Sequence, residues 1–261
     1  MFDAHCHLHD PRIFDRIQEI IHRASLAGVR SMVSCATHAS NFPTTRDLTR
    51  DHPSVLPCFG FHPWFLKELP PNWEGILEAA LGEIPSGVGE TGLDFIIKDV
   101  DRDLQVDVFE KHLALAAELN RPVAIHARKA WDVLIQVFKR LGPLPAGGLI
   151  HSFSGSADLV QTLEKYNLYF SFSGSQTRHQ GKKAARALMA VSPDRLLMET
   201  DAPDIFPHLD AGDPNPLMPG INEPCLLPII ARALAAKRGQ SVEELTQMTY
   251  DNALRLFAPL L

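Results

Sequence analysis

The chain reads as an α/β protein, a (β/α)8 TIM-like barrel with an additional C-terminal helix. Three observations predict this. Eight short, apolar, β-rich runs alternate with longer stretches of helical spacing, the pattern of repeated βα units around a parallel sheet. A length of 261 residues suits one barrel of about 250. Histidines and carboxylates stand at the ends of several of the runs, where barrel active sites are built.

The eight runs are 2–8, 29–36, 55–62, 87–94, 122–127, 148–152, 168–173 and 195–200. Between them, Phe109, Leu113, Ala116, Ala117 and Leu119, then Trp131, Leu134, Ile135 and Phe138, recur at helical intervals and predict members of an outer ring. Residues 202–224, rich in Pro, Gly and Asp and without periodicity, predict a long loop after the eighth run. Ser241 and Glu244 are spaced as a capping box ahead of Leu245, Met248 and Leu256, which predicts a closing helix whose role is packing. With no second linker of such composition, 1–261 reads as one domain. The pentapeptide SFSGS occurs at 152–156 and again at 171–175, so that two consecutive βα turns either share a geometry or repeat by chance.

Twenty-five Lys and Arg against 31 Asp and Glu give a net charge of −6, so any contact with nucleic acid needs a local patch rather than an overall basic field. Four cysteines, Cys6, Cys35, Cys58 and Cys225, form no CxxC pair, which fits free thiols in a reducing compartment. The start MFDAHCHLHD lacks the features of a signal peptide, and no apolar stretch approaches the roughly 18 residues of a membrane span. The expectation is a cytoplasmic protein without a membrane or an obligate protein partner.

His5 and His7 stand two apart in a short strand, so both imidazoles face one side and can chelate one ion. An isolated HxH is weak evidence, because histidine is also an ordinary polar surface group. Glu90, His126, His151 and Asp201 strengthen it, since each falls at or near the end of a different run and all would converge on one rim. Six buried polar groups there are costly unless paired or metal-bound. Nitrogen and oxygen ligands without thiolate suit one or two divalent ions, Zn, Mg or Mn. Glu90 is the candidate bridge between two ions, and Asp201 the candidate acceptor of a proton from an attacking water.

The order FDAHCHL, GFHPW (60–64), GVGETGLDF (87–95), PVAIHAR (122–128), HSFSG (151–155), LLMETDAP (196–203), NEP (222–224) and NALRLF closely resembles the TatD-type deoxyribonucleases of the metal-dependent hydrolase superfamily, over nearly the whole chain. The resemblance implies a β/α barrel, phosphodiester hydrolysis of DNA as single strands or 3′ ends, one ion among His5, His7, Glu90 and Asp201, and a second among Glu90, His126 and His151. Two positions depart from the family's pattern: Ile221 where a basic residue is usual, and Asp204 where an aromatic is common. They bear on the substrate-facing edge rather than the ligand set. Small-molecule amidohydrolases, lactonases and esterases share such ligands, though many bridge their ions with a modified lysine rather than a glutamate. A non-catalytic nucleic-acid-binding barrel is a further reading, against which the intact ligand set argues.

Other residues carry weaker signals. His62 is either a substrate-phosphate contact or a turn histidine before Pro63, and Arg128 either grips phosphate or forms a surface ion pair. Glu199 and Asp94 are candidates to orient ligand histidines, or structural hydrogen-bond acceptors inside the barrel. Arg178, His179, Lys182, Lys183 and Arg186 form the densest basic run, more often a solvated face than a patch, but near loops that bind phosphate in many barrels, which makes Arg178 a candidate DNA contact. Trp64 and Phe65 either stack a base or cap the rim. Gly87, Gly89 and Gly92 match GxGxxG, yet without a preceding apolar strand or a following helix they read as freedom for the backbone around Glu90. No GxSxG is present, so serine-nucleophile chemistry has no support.

Overall fold

The computed structural model describes residues 1–178 and 182–261, Lys182 by its backbone alone. Eight strands, β1 (Phe2–Cys6), β2 (Ser31–Cys35), β3 (Val55–Phe59), β4 (Gly87–Asp94), β5 (Val123–Arg128), β6 (Gly148–Ile150), β7 (Leu168–Phe172) and β8 (Leu196–Met198), lie side by side in chain order. Every neighbouring pair is parallel. All but two of their residues are buried or nearly so, which is why they read as continuous apolar runs rather than alternating ones. The first and last strands meet just beyond their ends: the Asp201 N–H donates to the His5 carbonyl at 3.0 Å, and the His7 N–H to that of Ala202 at 2.7 Å. Asp3, fully buried, accepts from both the N–H and the hydroxyl of Thr200 and ties the seam lower down.

Helices lie between the strands, as the spacing predicts. Arg102–Glu118 starts at Asp101, whose carboxylate accepts from the N–H groups of Asp103 and Leu104, and Trp131–Leu141 stops at Gly142. Among the described residues no helix is long and apolar enough to cross a membrane.

Two positions on β4 require glycine. Gly89 and Gly92 have φ of +126° and +143°, and a Cβ on either would lie 2.4 Å from the Ala124 carbonyl oxygen or 2.0 Å from that of His126. β4 therefore presses against β5 on both sides of Glu90, and the next helix, Arg102–Glu118, does not open at the motif, which accounts for the glycine spacing without a dinucleotide.

An apolar cluster fills the barrel beneath the rim. Ala124, Leu149 and Leu197 each lie two residues before His126, His151 and Glu199 and thus share their strand faces. Ala253, Leu256, Phe257 and Leu260 close this cluster from below. The predicted C-terminal helix, Val242–Leu256, begins with both arms of the Ser241–Glu244 capping box in place and is moored by Asn252, whose amide donates to the carbonyls of Pro193 and Leu196. Residues 202–223 carry no helix or strand, as expected of the long loop. The two SFSGS copies do not share a turn: the first follows the end of β6, whereas the second begins inside β7.

Candidate metal centre

Glu90 is the hub of the rim. It is 2% exposed, and its two carboxylate oxygens face different partners. Oε2 lies 3.2 Å from His5 Nε2 and 3.4 Å from His7 Nε2. Oε1 lies 3.2 Å from His62 Nε2, 3.2 Å from His126 Nδ1 and 2.9 Å from His151 Nε2. Asp201 Oδ1 joins the first side, 3.5 Å from His7 Nε2 and 3.7 Å from His5 Nε2. Three groupings have ligand atoms close enough to share a cation: His5, His7 and Glu90; His5, His151 and Asp201; and His62, Glu90 and His126.

The strands aim these groups. A register shift in β1 between Asp3 and Cys6 re-aims that strand, so that His5 and His7 both point into the rim. Asp201 takes φ +58°, a left-handed conformation that aspartate tolerates, as do Lys129 and Ser152 just past β5 and β6.

Partners on the far side of several imidazoles orient them. A carbonyl can only accept, so His7 Nδ1 donates to the Cys35 carbonyl at 2.8 Å and turns Nε2 toward Glu90 and Asp201. His126 Nε2 donates to Asp94 Oδ2 at 3.1 Å and presents Nδ1 inward. His151 Nδ1 faces Glu199 Oε1 at 3.5 Å, and Glu199 is itself held by the Ser152 N–H and the Ser171 hydroxyl. This is the usual way a protein orients metal-binding histidines. His62 is the opposite case. Its Nδ1 accepts from the Trp64 N–H at 3.1 Å, so the proton sits on Nε2 and is directed at Glu90.

Charge balance in the cluster is extreme. Burial would raise the Glu90 pKa, but the imidazoles that face it, His151 first and then His62, His5 and His126, hold it well below the ordinary carboxylate range. Burial would lower His7, yet Asp201 and Glu90 bring it up to about 9, and Glu90 with Glu199 lifts His151 well above its usual value. Burial dominates at His62, which falls to about 4, and lowers His5. The carboxylates thus demand cations, protons or metal ions. Divalent ions fit this donor set: it is N/O only, and the buried His5 Nε2, which faces Glu90 and Asp201, has no hydrogen-bond partner.

All six expected ligand positions therefore meet at one rim, with Asp94 and Glu199 behind two of the histidines. His62 joins them, buried in the cluster rather than placed at its edge. Arg128 is half exposed, its guanidinium 3.7 Å from Asp94. Arg178 is apart, exposed on the turn after β7, where it donates to the Phe206 carbonyl. Lys183 and Arg186 are exposed on the helix Lys182–Ala190, while His179 and the Lys182 side chain lie outside the described residues. Of the departures, Asp204 pairs through both oxygens with Arg12 at 2.8 Å, and Ile221 is half buried beside Asn222, whose amide donates to the Thr200 and Asp204 carbonyls. Cys35 is the contributor that sequence reasoning missed: besides its carbonyl, its Sγ lies 3.3 Å from His5 Nδ1.

The family described as TatD related DNase matches residues 2–258. The chain belongs to that family. Among its TatD relatives is the 3′-5′ ssDNA/RNA exonuclease TatD of Erwinia tasmaniensis, 34% identical over 267 residues, with 98% of this chain and 99% of the relative covered. The uncharacterized metal-dependent hydrolase YabD of Bacillus subtilis is 30% identical over 260 residues, with 98% of each covered. The crystal structure of YjjV, a TatD homolog from Escherichia coli, superposes with a TM-score of 0.90 at 28% identity, covering 99% of this chain and 98% of that one.

Proposed function

We propose that this TatD-family chain is a metal-dependent hydrolase of nucleic-acid phosphodiester bonds, a deoxyribonuclease acting on single strands or 3′ ends. The observation that carries the reading is the division of Glu90, one oxygen toward His5 and His7 and the other toward His126 and His151. That division suits a bridging carboxylate: one divalent ion among His5, His7, Glu90 and Asp201, a second among Glu90, His126 and His151. Ions bound there would polarise a phosphate and lower the pKa of water.

The chain's own groups supply the rest. Asp201, at the rim with its pKa held down despite burial by the hydrogen bond from His7, takes the proton of the attacking water. His62 is neutral near pH 7 and carries its proton on Nε2, so it donates a hydrogen bond to a phosphate oxygen rather than ligating. Arg128 and Arg178 contact the substrate backbone. Asp94 holds His126 in its tautomer, and Glu199 faces His151 from behind and orients it. Residues 1–261 act as one domain, and four buried free thiols suit a reducing compartment such as the cytoplasm.

The test is metal analysis of the purified protein together with hydrolysis assays in Mg, Mn and Zn, on single-stranded and duplex DNA and on a panel of lactones and cyclic amides. Cleavage of single strands is expected. Turnover of a lactone or cyclic amide with DNA untouched would overturn the nuclease assignment. Glu90→Ala should abolish turnover while retaining DNA binding.

A further inference from the structure

Trp64 is an exposed aromatic ring locked beside the centre. It is 52% exposed, whereas the adjacent Phe65 is half buried against His38, with ring centroids 4.5 Å apart. Its rotamer is fixed: Nε1 donates to Asp94 Oδ2 at 2.8 Å, the same oxygen that accepts from His126. The indole is therefore indexed to a rim histidine through a single carboxylate. His62 and His126 approach it nearly perpendicular, at 5.1 Å and 6.2 Å, and among the described residues no ring lies parallel to it. Arg128 reaches the same Asp94 oxygen and is itself about half exposed, so a flat apolar surface and a cation flank the rim together. A capping tryptophan would bury its ring, and one held for packing would not need its N–H anchored to the residue that orients His126.

We propose that Trp64 is the stacking platform for the base of the nucleotide whose phosphate is hydrolysed. This rests on the nuclease reading and sharpens its substrate class. A base inside a duplex has both faces covered by its neighbours, while a single strand can turn a base out onto an aromatic side chain. The platform accepts any base, because every base offers a π-face. It thus selects for strandedness, not sequence.

The metal-loaded enzyme is assayed on single-stranded oligonucleotides, intact or carrying one abasic nucleotide at, beside or several positions from the scissile bond. Trp64→Ala is expected to raise KM for the intact strand on the order of ten- to a hundredfold, with kcat changed less. Trp64→Phe, which keeps a ring but loses the N–H to Asp94, is expected to stay within about threefold of wild type. With the abasic nucleotide at the scissile position, wild type and Trp64→Ala should differ by less than about twofold. In an Asp201→Asn background, indole fluorescence should be quenched by the intact strand and not by that abasic one. The inference is overturned if Trp64→Ala leaves KM unchanged, if it impairs intact and abasic strands alike, or if Phe is as damaging as Ala, since the Asp94 anchor would then be the whole of its role. Failure of the wild type to cleave any single strand would instead remove the nuclease reading, and this inference with it.

Discussion

Asp94 never faces the cluster's interior, yet three rim groups depend on it. It receives hydrogen bonds from His126 and Trp64 and from the N–H of Ile96, and these outweigh the burial that would otherwise raise its pKa, leaving it a firm acceptor well below the ordinary range. Its replacement by Ala frees His126 to rotate or change tautomer. Loss of such an orienting partner typically costs 10- to 100-fold in metal affinity or activity. Asp94→Ala should weaken metal binding by about that factor, measured by competition with a chromogenic chelator, and unaltered affinity would show that His126 needs no orientation. His7 gives a second prediction at this scale. Its pKa of about 9 means that it carries a proton at neutral pH, and a ligand must give that proton up. Metal affinity should therefore rise with pH up to about 9, by at most roughly tenfold per unit for each proton displaced. Calorimetry in buffers of different ionisation enthalpy should show proton release, and heats independent of the buffer would contradict it.

Between strands and rim, single helices do the aiming. His112 on Arg102–Glu118 is fully buried and stacks on Trp73. Its Nδ1 donates to the Val108 carbonyl and its Nε2 accepts the N–H of Phe61, the residue before His62. Burial is the main cause of its pKa of about 4, against an ordinary value near 6.5. The unfolded chain then binds the extra proton first, so the contribution is intact above about pH 6.5 and is lost as pH falls toward 4. A shift of that size is worth about 3 kcal/mol. His112→Gln should flatten the fall in urea midpoint between pH 6.5 and 4, and an unchanged slope would assign the acid sensitivity elsewhere. Such elements were unequally legible. The strands were found because they are apolar on both faces, but run 2–8 overshot β1 and run 195–200 overshot β8, since residues such as His7 and Thr200 lie beyond the end of the ladder, at the rim. Leu227–Arg238 escaped notice because it has no capping side chain and is apolar over most of its surface. The ligand set was legible because its residue types are expensive to bury. The parts played by Cys35 and by the Trp64 anchor were not, because they depend on which strand lies next to which and on a rotamer.

At the scale of the molecule, the two ends of the barrel do different work. Hydrogen-bonded charge and fixed tautomers crowd the rim, while hydrocarbon seals the opposite end. Phe257, just past the helix Val242–Leu256, is 1% exposed and stacks on Phe2 at 5.5 Å with planes 6° apart, so the last turn of the chain packs on the first strand. That strand also carries His5. The plug and the rim are nonetheless separated by the layer of Cys35, Ala124, Leu149 and Leu197, so a void opened at the plug borders that layer rather than the rim. Phe257→Ala removes a buried ring at a cost of about 3–5 kcal/mol. In a protein of this size that lowers Tm by roughly 6–20 °C. Metal stoichiometry and KM at 20 °C below the new midpoint should match wild type. If metal affinity falls in step with Tm, the packing below the rim is setting the spacing of His5 and Glu90, and the seal and the site are a single cooperative unit.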